Sequence, residues 1–473
     1  MNVARCIRTT GIARPRTCAR LPTTAQQAAS KPTLHIYPRE ARCFSLPVRA
    51  GVSSQLTQAD TSSIVPSVSL PVPGLEGHKW SNLWLRDNCQ CHECVHPETR
   101  QRLLDTFSLP EDGKPSTIKP LDNGLEIEWA GDGHKSTYTY EWLKNHTSSS
   151  AAPTERPSIR NDLEYVESTS KSLPSVEYEE VMSSDEGIRR WTSNIYRFGF
   201  SFVKGSPATP EATERLLERL AFIRPTHYVG GFWDFTSDLS MKDTAYTSQH
   251  LNAHTDTTYF TDPAGLQLFH ILSHTDGKGG ETLLVDGFKA ARTLLEEDPV
   301  AYQALSDIKI SSHSSGNEDV CIQPATSFSV LNHMSDSSEL YQIRWNNDDR
   351  APGKGNSLET IHRWYQAAKK WNEILKRPDM EIWLKLEPGT PLIFDNWRIL
   401  HGRSAFTGKR RMCGGYINHD DFISRYRLSL QRKRPSAGPR SYGGKSSTPW
   451  EENSYTFAVG AFKGDICGFR IKI

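Results

Sequence analysis

The chain has 473 residues, 36% of them hydrophobic and 10% aromatic, enough for two or three domains with real cores. Its formal net charge of +1 excludes the basic field of a nucleic-acid binder. No apolar run reaches the roughly 18 residues of a membrane span, so no membrane partner is expected.

The first 39 residues contain no Asp or Glu and carry Arg5, Arg8, Arg14, Arg16, Arg20, Lys31 and Arg39 among Thr, Ala and Ser. An Arg-rich, acid-free leader without an apolar core predicts a mitochondrial transit peptide, with residues 1–65 as leader and tether. A disordered basic tail has the same composition. The transit-peptide reading places the protein in the mitochondrial matrix, where its nine cysteines are not expected to form a disulfide framework.

A first compact unit is predicted over 68–145. Leu125, Ile127 and Trp129 alternate with polar neighbours, as do Tyr138 and Tyr140, which is the period of short strands. Cys89, Cys91 and Cys94 lie in one tight cluster, with His134 further on. Three thiolates and one imidazole make a closed tetrahedral zinc site. His92 and His96 compete for the fourth place, and three buried reduced thiols are the plain alternative. A closed site stabilises folding and does no chemistry, which suits a small domain with a thin core. The stretch SSSAAPTERPS that follows reads as a linker.

The second unit is predicted over 160–432. Ser183 and Glu186 are spaced as a capping box for a helix carrying Ile188, Trp191 and Ile195. The strand FGFSFV follows, and Thr209-Pro210 opens a helix with Leu216, Leu217 and Leu220 inward. Strands are expected over 264–272, 281–285 and 341–346. A long amphipathic helix over 357–376 carries Ile361, Trp364, Trp371 and Leu375 on one stripe. IWLKL, Pro388-Gly389 and PLIFD read as a hairpin. Short strands with a few helices predict a mainly β fold, a β-barrel or jelly-roll core with flanking helices. Residues 433–473 read as a mobile tail rich in Pro, Gly, Ser and Lys.

His254 and Asp256, in LNAHTDTTYF, are answered downstream by His401 in FDNWRILHGR. Two imidazoles and one carboxylate can hold a ferrous ion on one face and leave the other open. On a strand, positions i and i+2 put both first ligands on one face, and His401 must come from another strand. An isolated His-x-Asp is common by chance; its companions raise its weight. Thr282 and Arg410 are placed to clamp one carboxylate, although Arg411 could replace Arg410 on charge alone. Tyr228, Trp233, Tyr246 and Tyr416 could box a quaternary ammonium, or serve as ordinary core.

FWDFTSDLSMKDTAYT, HTDTTYF, GGETLLVDGF, DNWRILHGRSAFTG and CGGY resemble the carnitine-pathway 2-oxoglutarate dioxygenases, a group related to taurine dioxygenase. The likeness runs from about 75 to 430 and favours the trimethyllysine-hydroxylating side over the γ-butyrobetaine side. It implies a double-stranded β-helix catalytic domain joined to a small zinc-binding β domain. His254, Asp256 and His401 match its iron ligands. Arg410, six residues before Tyr416, matches the arginine that binds the distal carboxylate of 2-oxoglutarate, with Thr282 assisting. Tyr246, Tyr416, Trp233 and Tyr228 match the cage around a trimethylammonium head. Cys89, Cys91, Cys94 and His134 match the zinc ligands. Asp243, three residues before Tyr246, is a candidate for the substrate α-ammonium.

The resemblance therefore implies Fe(II), 2-oxoglutarate, O2 and structural zinc, with ascorbate as reductant and a homodimer. The expected reaction is 3-hydroxylation of N6,N6,N6-trimethyl-L-lysine, the first step of carnitine biosynthesis. γ-Butyrobetaine hydroxylation is the nearer rival, and a non-catalytic zinc-stapled scaffold the distant one.

Overall fold

The computed structural model describes residues 66–431 except 111–112, 148–157, 171, 228–229, 237–246, 318, 336 and 353–356. The expected leader, nearly all of the linker and the tail from 433 lie outside the described residues. No helix among the described residues is long and apolar enough to cross a membrane.

Strands Pro115–Leu121, Gly124–Trp129 and Lys135–Thr139 form an antiparallel sheet. Period-2 alternation turns Leu125, Ile127 and Trp129 to one buried face, where they meet Trp80, Leu85, Trp142 and Leu143. Two short helices absent from the strand-only reading complete this region. Asn82–Asp87 is capped by Ser81 and Tyr140–Asn145 by Thr139, each side-chain oxygen accepting a backbone N–H of the first turn.

The larger region is a sandwich of two sheets. One has six strands in the order Ser175–Glu177, Phe200–Lys204, Leu392–Asp395, Leu266–Thr275, Lys409–Ile417 and Phe232–Thr236. The other has four, in the order Glu381–Leu384, Thr282–Asp286, Ile399–Arg403 and Leu251–His254. Alternation sorts their side chains into layers. Phe200, Phe202, Leu392, Phe394, Leu284 and Ile399 meet in one cluster between the sheets. Val203, Leu266, Leu268, Ile393 and Ile417 turn outward under helices Asp185–Phe198 and Pro210–Leu220. Leu283, Val285 and Leu400 turn outward on the other side, under helices Gly287–Glu297, Pro299–Asp307 and Leu358–Leu375. Both sheets are covered on both faces, so their strands are nearly continuous apolar runs. Polar residues on the inner faces are therefore conspicuous, and several of them form the site.

Four local expectations need correction. The helix expected to start at Ser183 is capped by Ser184, whose hydroxyl accepts from the Gly187 N–H, while Ser183 donates to the Glu179 carbonyl. Ser183 completes the last turn of the preceding helix, Tyr178–Ser183, so the cap falls one residue later. On the long helix, Ile361 is exposed; the buried stripe is Trp364, Ala367, Ala368, Trp371, Ile374 and Leu375. Its first turn extends beyond the core that Trp364 begins.

Glu381–Leu384 and Leu392–Asp395 are not a hairpin. The first pairs with Thr282–Asp286 and the second with Leu266–Thr275 and Phe200–Lys204. The Pro-Gly corner, with Gly389 at φ +84, carries the chain from one sheet to the other. Finally, Asp256 is not on the strand of His254, which ends at His254 itself.

Buried His270 shows how tightly this corner is set. The Gly389 N–H donates to its Nε2 at 3.0 Å, and its Nδ1 stands 2.6 Å from the Thr213 hydroxyl. Nε2 must therefore be unprotonated. Burial lowers the His270 pKa to about 4. The same cause lowers half-buried His419, stacked on Trp397 at 4.0 Å, to about 4. An unfolded histidine takes its proton near pH 6.5, so between about pH 6.5 and 4 the unfolded state binds protons that the fold rejects. The contribution of these two histidines is expected to be flat above that window and to fall through it, by roughly 3 kcal/mol for His270 alone. Urea midpoints at pH 7 and pH 4.5 check this, and His270→Gln should flatten the acid limb. An unchanged limb in that variant would remove His270 as the cause.

Candidate active site and metal centres

His254 and His401 face each other across adjacent antiparallel strands, Leu251–His254 and Ile399–Arg403. Directly opposed residues share a face at short range, so this register alone brings the two imidazoles together. Asp256 completes the group from the turn beyond the strand, where Thr257 adopts φ +59. Asn396, itself buried, fixes that turn. Its Oδ1 accepts from the Asp256 N–H at 2.7 Å, and its Nδ2 donates to the carbonyls of Asp256 and Ala264. Arg344 holds the far side of the turn through the carbonyls of Thr258, Phe260 and Thr261.

Asp256 Oδ1 lies 3.3 Å from His254 Nε2 and 3.7 Å from His401 Nε2, and the three ligand atoms lie within 4.8 Å of one another. One ion can touch all three. His254 Nδ1 donates to the Asn252 carbonyl at 2.7 Å, which leaves Nε2 to ligate. His401 Nδ1 is buried without a hydrogen-bond partner, and its ring is held by packing against Phe269 and Phe394. Burial alone would raise the Asp256 pKa; His401, His254 and the Tyr416 hydroxyl overcome it and hold the carboxylate ionised. Burial opposes protonation of His254, but Asp256 outweighs it and raises the pKa to about 9. A cation is thus already favoured between these groups. His401 is pushed down to about 3 by burial and by His254, and stays neutral as a ligand must. The donor set fits a divalent metal.

The triad opens onto a cavity of about 500 Å3. Thr282 and Arg410, both buried, are among its lining residues. Thr282 sits opposite Arg403 in the sheet, one alternation from the Leu284–His401 pair. Burial and the neighbouring Arg403 lower the Arg410 pKa to about 9. Its neighbour Arg411 emerges on the opposite face of the strand and forks onto Asp234 at 2.9 and 2.6 Å. Strand alternation thus separates two residues that charge alone left equivalent.

Trp233 and Tyr416 also line the cavity. A Cβ at Gly414 would stand 2.5 Å from the Trp233 ring, so only glycine lets that ring cross the strand. The Tyr416 hydroxyl donates to Asp256 Oδ2 at 2.8 Å, a contact not anticipated for a cage residue. Tyr228, Asp243 and Tyr246 lie outside the described residues.

Cys89, Cys91, Cys94 and His134 form a second cluster, far along the sequence from the first. His134 Nε2 stands 3.3, 3.5 and 3.5 Å from the three sulfurs. Zinc bonds of about 2.3 Å to sulfur and 2.0–2.1 Å to nitrogen, at tetrahedral angles, imply roughly 3.5 Å between those atoms. The group therefore fits zinc. Of the competitors, His92 is exposed, and His96 Nδ1 accepts the N–H groups of Glu98 and Thr99.

Residues 164–416 match the family described as taurine catabolism dioxygenase TauD, TfdA family, which spans more than half of the chain. Residues 72–144 match the γ-butyrobetaine hydroxylase-like N-terminal family. The chain is 48% identical over 379 residues to the trimethyllysine dioxygenase of Neurospora crassa, covering 73% of this chain and 79% of that one. The chain belongs to the trimethyllysine dioxygenase family. The human member, named as mitochondrial, is 40% identical, with 74% of this chain and 82% of the relative covered. A γ-butyrobetaine dioxygenase from Pseudomonas is 31% identical, covering 79% and 96%. Membership accounts for the sandwich with its inward His-x-Asp and distant histidine, and for the N-terminal cysteine cluster.

Three residues that hold Asp256 and its turn were not singled out from the sequence: Asn396, Arg344 and Gln267. Each is a buried polar side chain in an apolar run, which is the signal that could have found them.

Proposed function

We propose that the chain hydroxylates N6,N6,N6-trimethyl-L-lysine at C3, with one oxygen atom of O2 entering the product and the other entering succinate as 2-oxoglutarate loses CO2. The observation that carries this reading is the triad opening onto a cavity that is also lined by the buried Arg410. His254, Asp256 and His401 would hold Fe(II), which together with the electron pair released as 2-oxoglutarate loses CO2 would reduce O2 to an oxidant of C–H bonds.

The chain's residues do the rest. Arg410 and Thr282 bind the distal carboxylate of 2-oxoglutarate and fix its keto-acid end toward the triad. Trp233 and Tyr416, with Tyr228 and Tyr246, present π faces to the trimethylammonium group, which cannot donate a hydrogen bond. Asp243 pairs with the α-ammonium. Held at both ends, the substrate offers one carbon to the open face of the triad. Such positioning matters because a strong oxidant attacks whatever lies within reach. Residues 68–145 form the zinc-stapled domain and 160–432 the catalytic one.

The identity to the fungal trimethyllysine enzyme, higher than to the bacterial γ-butyrobetaine enzyme, favours the first substrate. Incubation with Fe(II), 2-oxoglutarate, ascorbate as reductant and O2, with each substrate separately, decides. Trimethyllysine should gain one oxygen atom with equimolar succinate. Turnover of γ-butyrobetaine alone would transfer the reading to the rival, and absence of succinate in both would leave the non-catalytic scaffold. The acid-free leader, with the human relative's mitochondrial name, supports import into the matrix. A homodimer is proposed on family grounds, and sedimentation at micromolar concentration tests it.

A further inference from the structure

Gln267 is the one amide on an otherwise apolar inner strand segment. Its neighbours Leu266 and Leu268 point into the outer core, and alternation turns Gln267 to the cavity. Its Nε2 donates to Asp256 Oδ2 at 2.7 Å and stands 3.4 Å from the Tyr416 hydroxyl. That hydroxyl donates to the same carboxylate oxygen at 2.8 Å. Reversing the amide would set its carbonyl oxygen against the carboxylate, so chemistry fixes which atom is nitrogen. The remaining oxygen of Asp256, Oδ1, is the one that faces His254 and His401.

We infer that Gln267 is a positioning residue for the metal centre: with the Tyr416 hydroxyl it binds Asp256 Oδ2, so that the carboxylate meets the metal through Oδ1 alone. The inference rests on the metal-centre reading above. Carboxylates bind cations through one oxygen or both. A chelating Asp256 would occupy a position that the co-substrate needs, and two donors on Oδ2 oppose the rotation that chelation requires. Gln267 Oε1 is buried with no partner. A strand that needed only stability would carry an apolar residue there, because an unsatisfied buried oxygen is a cost. The amide is retained in spite of it, which ties Gln267 to the carboxylate it orients.

The test uses the full chain, freed of metal and reloaded with one equivalent of zinc for the cysteine cluster, with Co(II) as probe of the triad and no turnover. Co(II) affinity and ligand-field absorption are compared for wild type, Gln267→Met, which keeps the volume, and Gln267→Asn, whose amide is too short to reach. Roughly tenfold or greater loss of affinity is expected in both variants, the range for partners that orient metal ligands. The absorption should change as well, and Tyr416→Phe should move it in the same direction. Circular dichroism identifies the variants that fold. A folded Gln267→Met or Gln267→Asn chain with wild-type affinity and spectrum overturns the role of Gln267 and leaves the metal centre standing. A wild-type chain that binds no Co(II) overturns both.

Discussion

Arg410→Met should raise the KM for 2-oxoglutarate by roughly 30-fold to several thousandfold, the cost of removing one partner from a buried charged contact. Arg411→Met should leave it within about twofold, because an exposed ion pair contributes little. The two arginines are adjacent and carry the same charge, so the comparison isolates direction. Arg410 is 4% exposed, and no carboxylate of the described residues is among the charges that perturb it. Its burial makes an unpaired charge costly, and a dianionic ligand removes that cost. Arg403, the nearest other guanidinium, is engaged with the carbonyls of Thr247 and Gln249. Steady-state kinetics at saturating trimethyllysine reads the effect. Equal shifts in the two variants would mean that the site responds to net charge near the strand, and the assignment of Arg410 would fail.

The same strand shows what the sequence could and could not reveal. Its residues alternate in and out whatever their identity, so Arg410, Met412 and Tyr416 share one face while Arg411 takes the other. The period was legible; the phase was not, because both arginines are polar and the apolar stretch that follows them is buried on both faces. The helices were legible where caps and apolar stripes coincide, as at Thr209-Pro210. They were less so where two serines adjoin, and the cap moved from Ser183 to Ser184.

Sheet membership was the least legible property. Ile382–Leu384 and Leu392–Phe394 are short apolar runs around a Pro-Gly turn, and nothing local distinguishes a hairpin from a crossing between sheets. That choice is made by distant partners, Thr282–Asp286 and Leu266–Thr275. The triad divides in the same way. His254 and His401 needed only an antiparallel register, whereas Asp256 needed a turn held by Asn396, 140 residues away. Three residue types in the right order pointed to the metal, and the supports that aim them had no signature beyond being polar where leucine would be expected.

Cys91→Ala should abolish zinc retention and unfold the segment around the cluster while the catalytic sandwich stays folded. The local core is only Cys89, Cys94 and Val95, with Cys91 and Leu104 against it. Beyond Leu85, which packs into the larger core, helix Asn82–Asp87 is tied to the hairpin turn carrying His134 by Arg86, which pairs with Asp132 at 2.8 Å and reaches Cys94 at 3.3 Å beside the four donors. Burial raises the Cys89 thiol to about 12, so its thiolate forms only against a cation. Structural zinc contributes about 10–16 kcal/mol of binding free energy in small domains, comparable to the whole stability of a typical fold. A chelator would strip both metal centres, so the variant is the cleaner probe. Elemental analysis should find one zinc per wild-type chain and none in Cys91→Ala, with new protease cleavage confined to about 88–110. His134→Ala should lose zinc as well. Full zinc content in His134→Ala would remove it from the ligand set and return His92 or His96 to consideration. A zinc-free wild type with the same protease resistance would show that the thiols pack this corner without an ion.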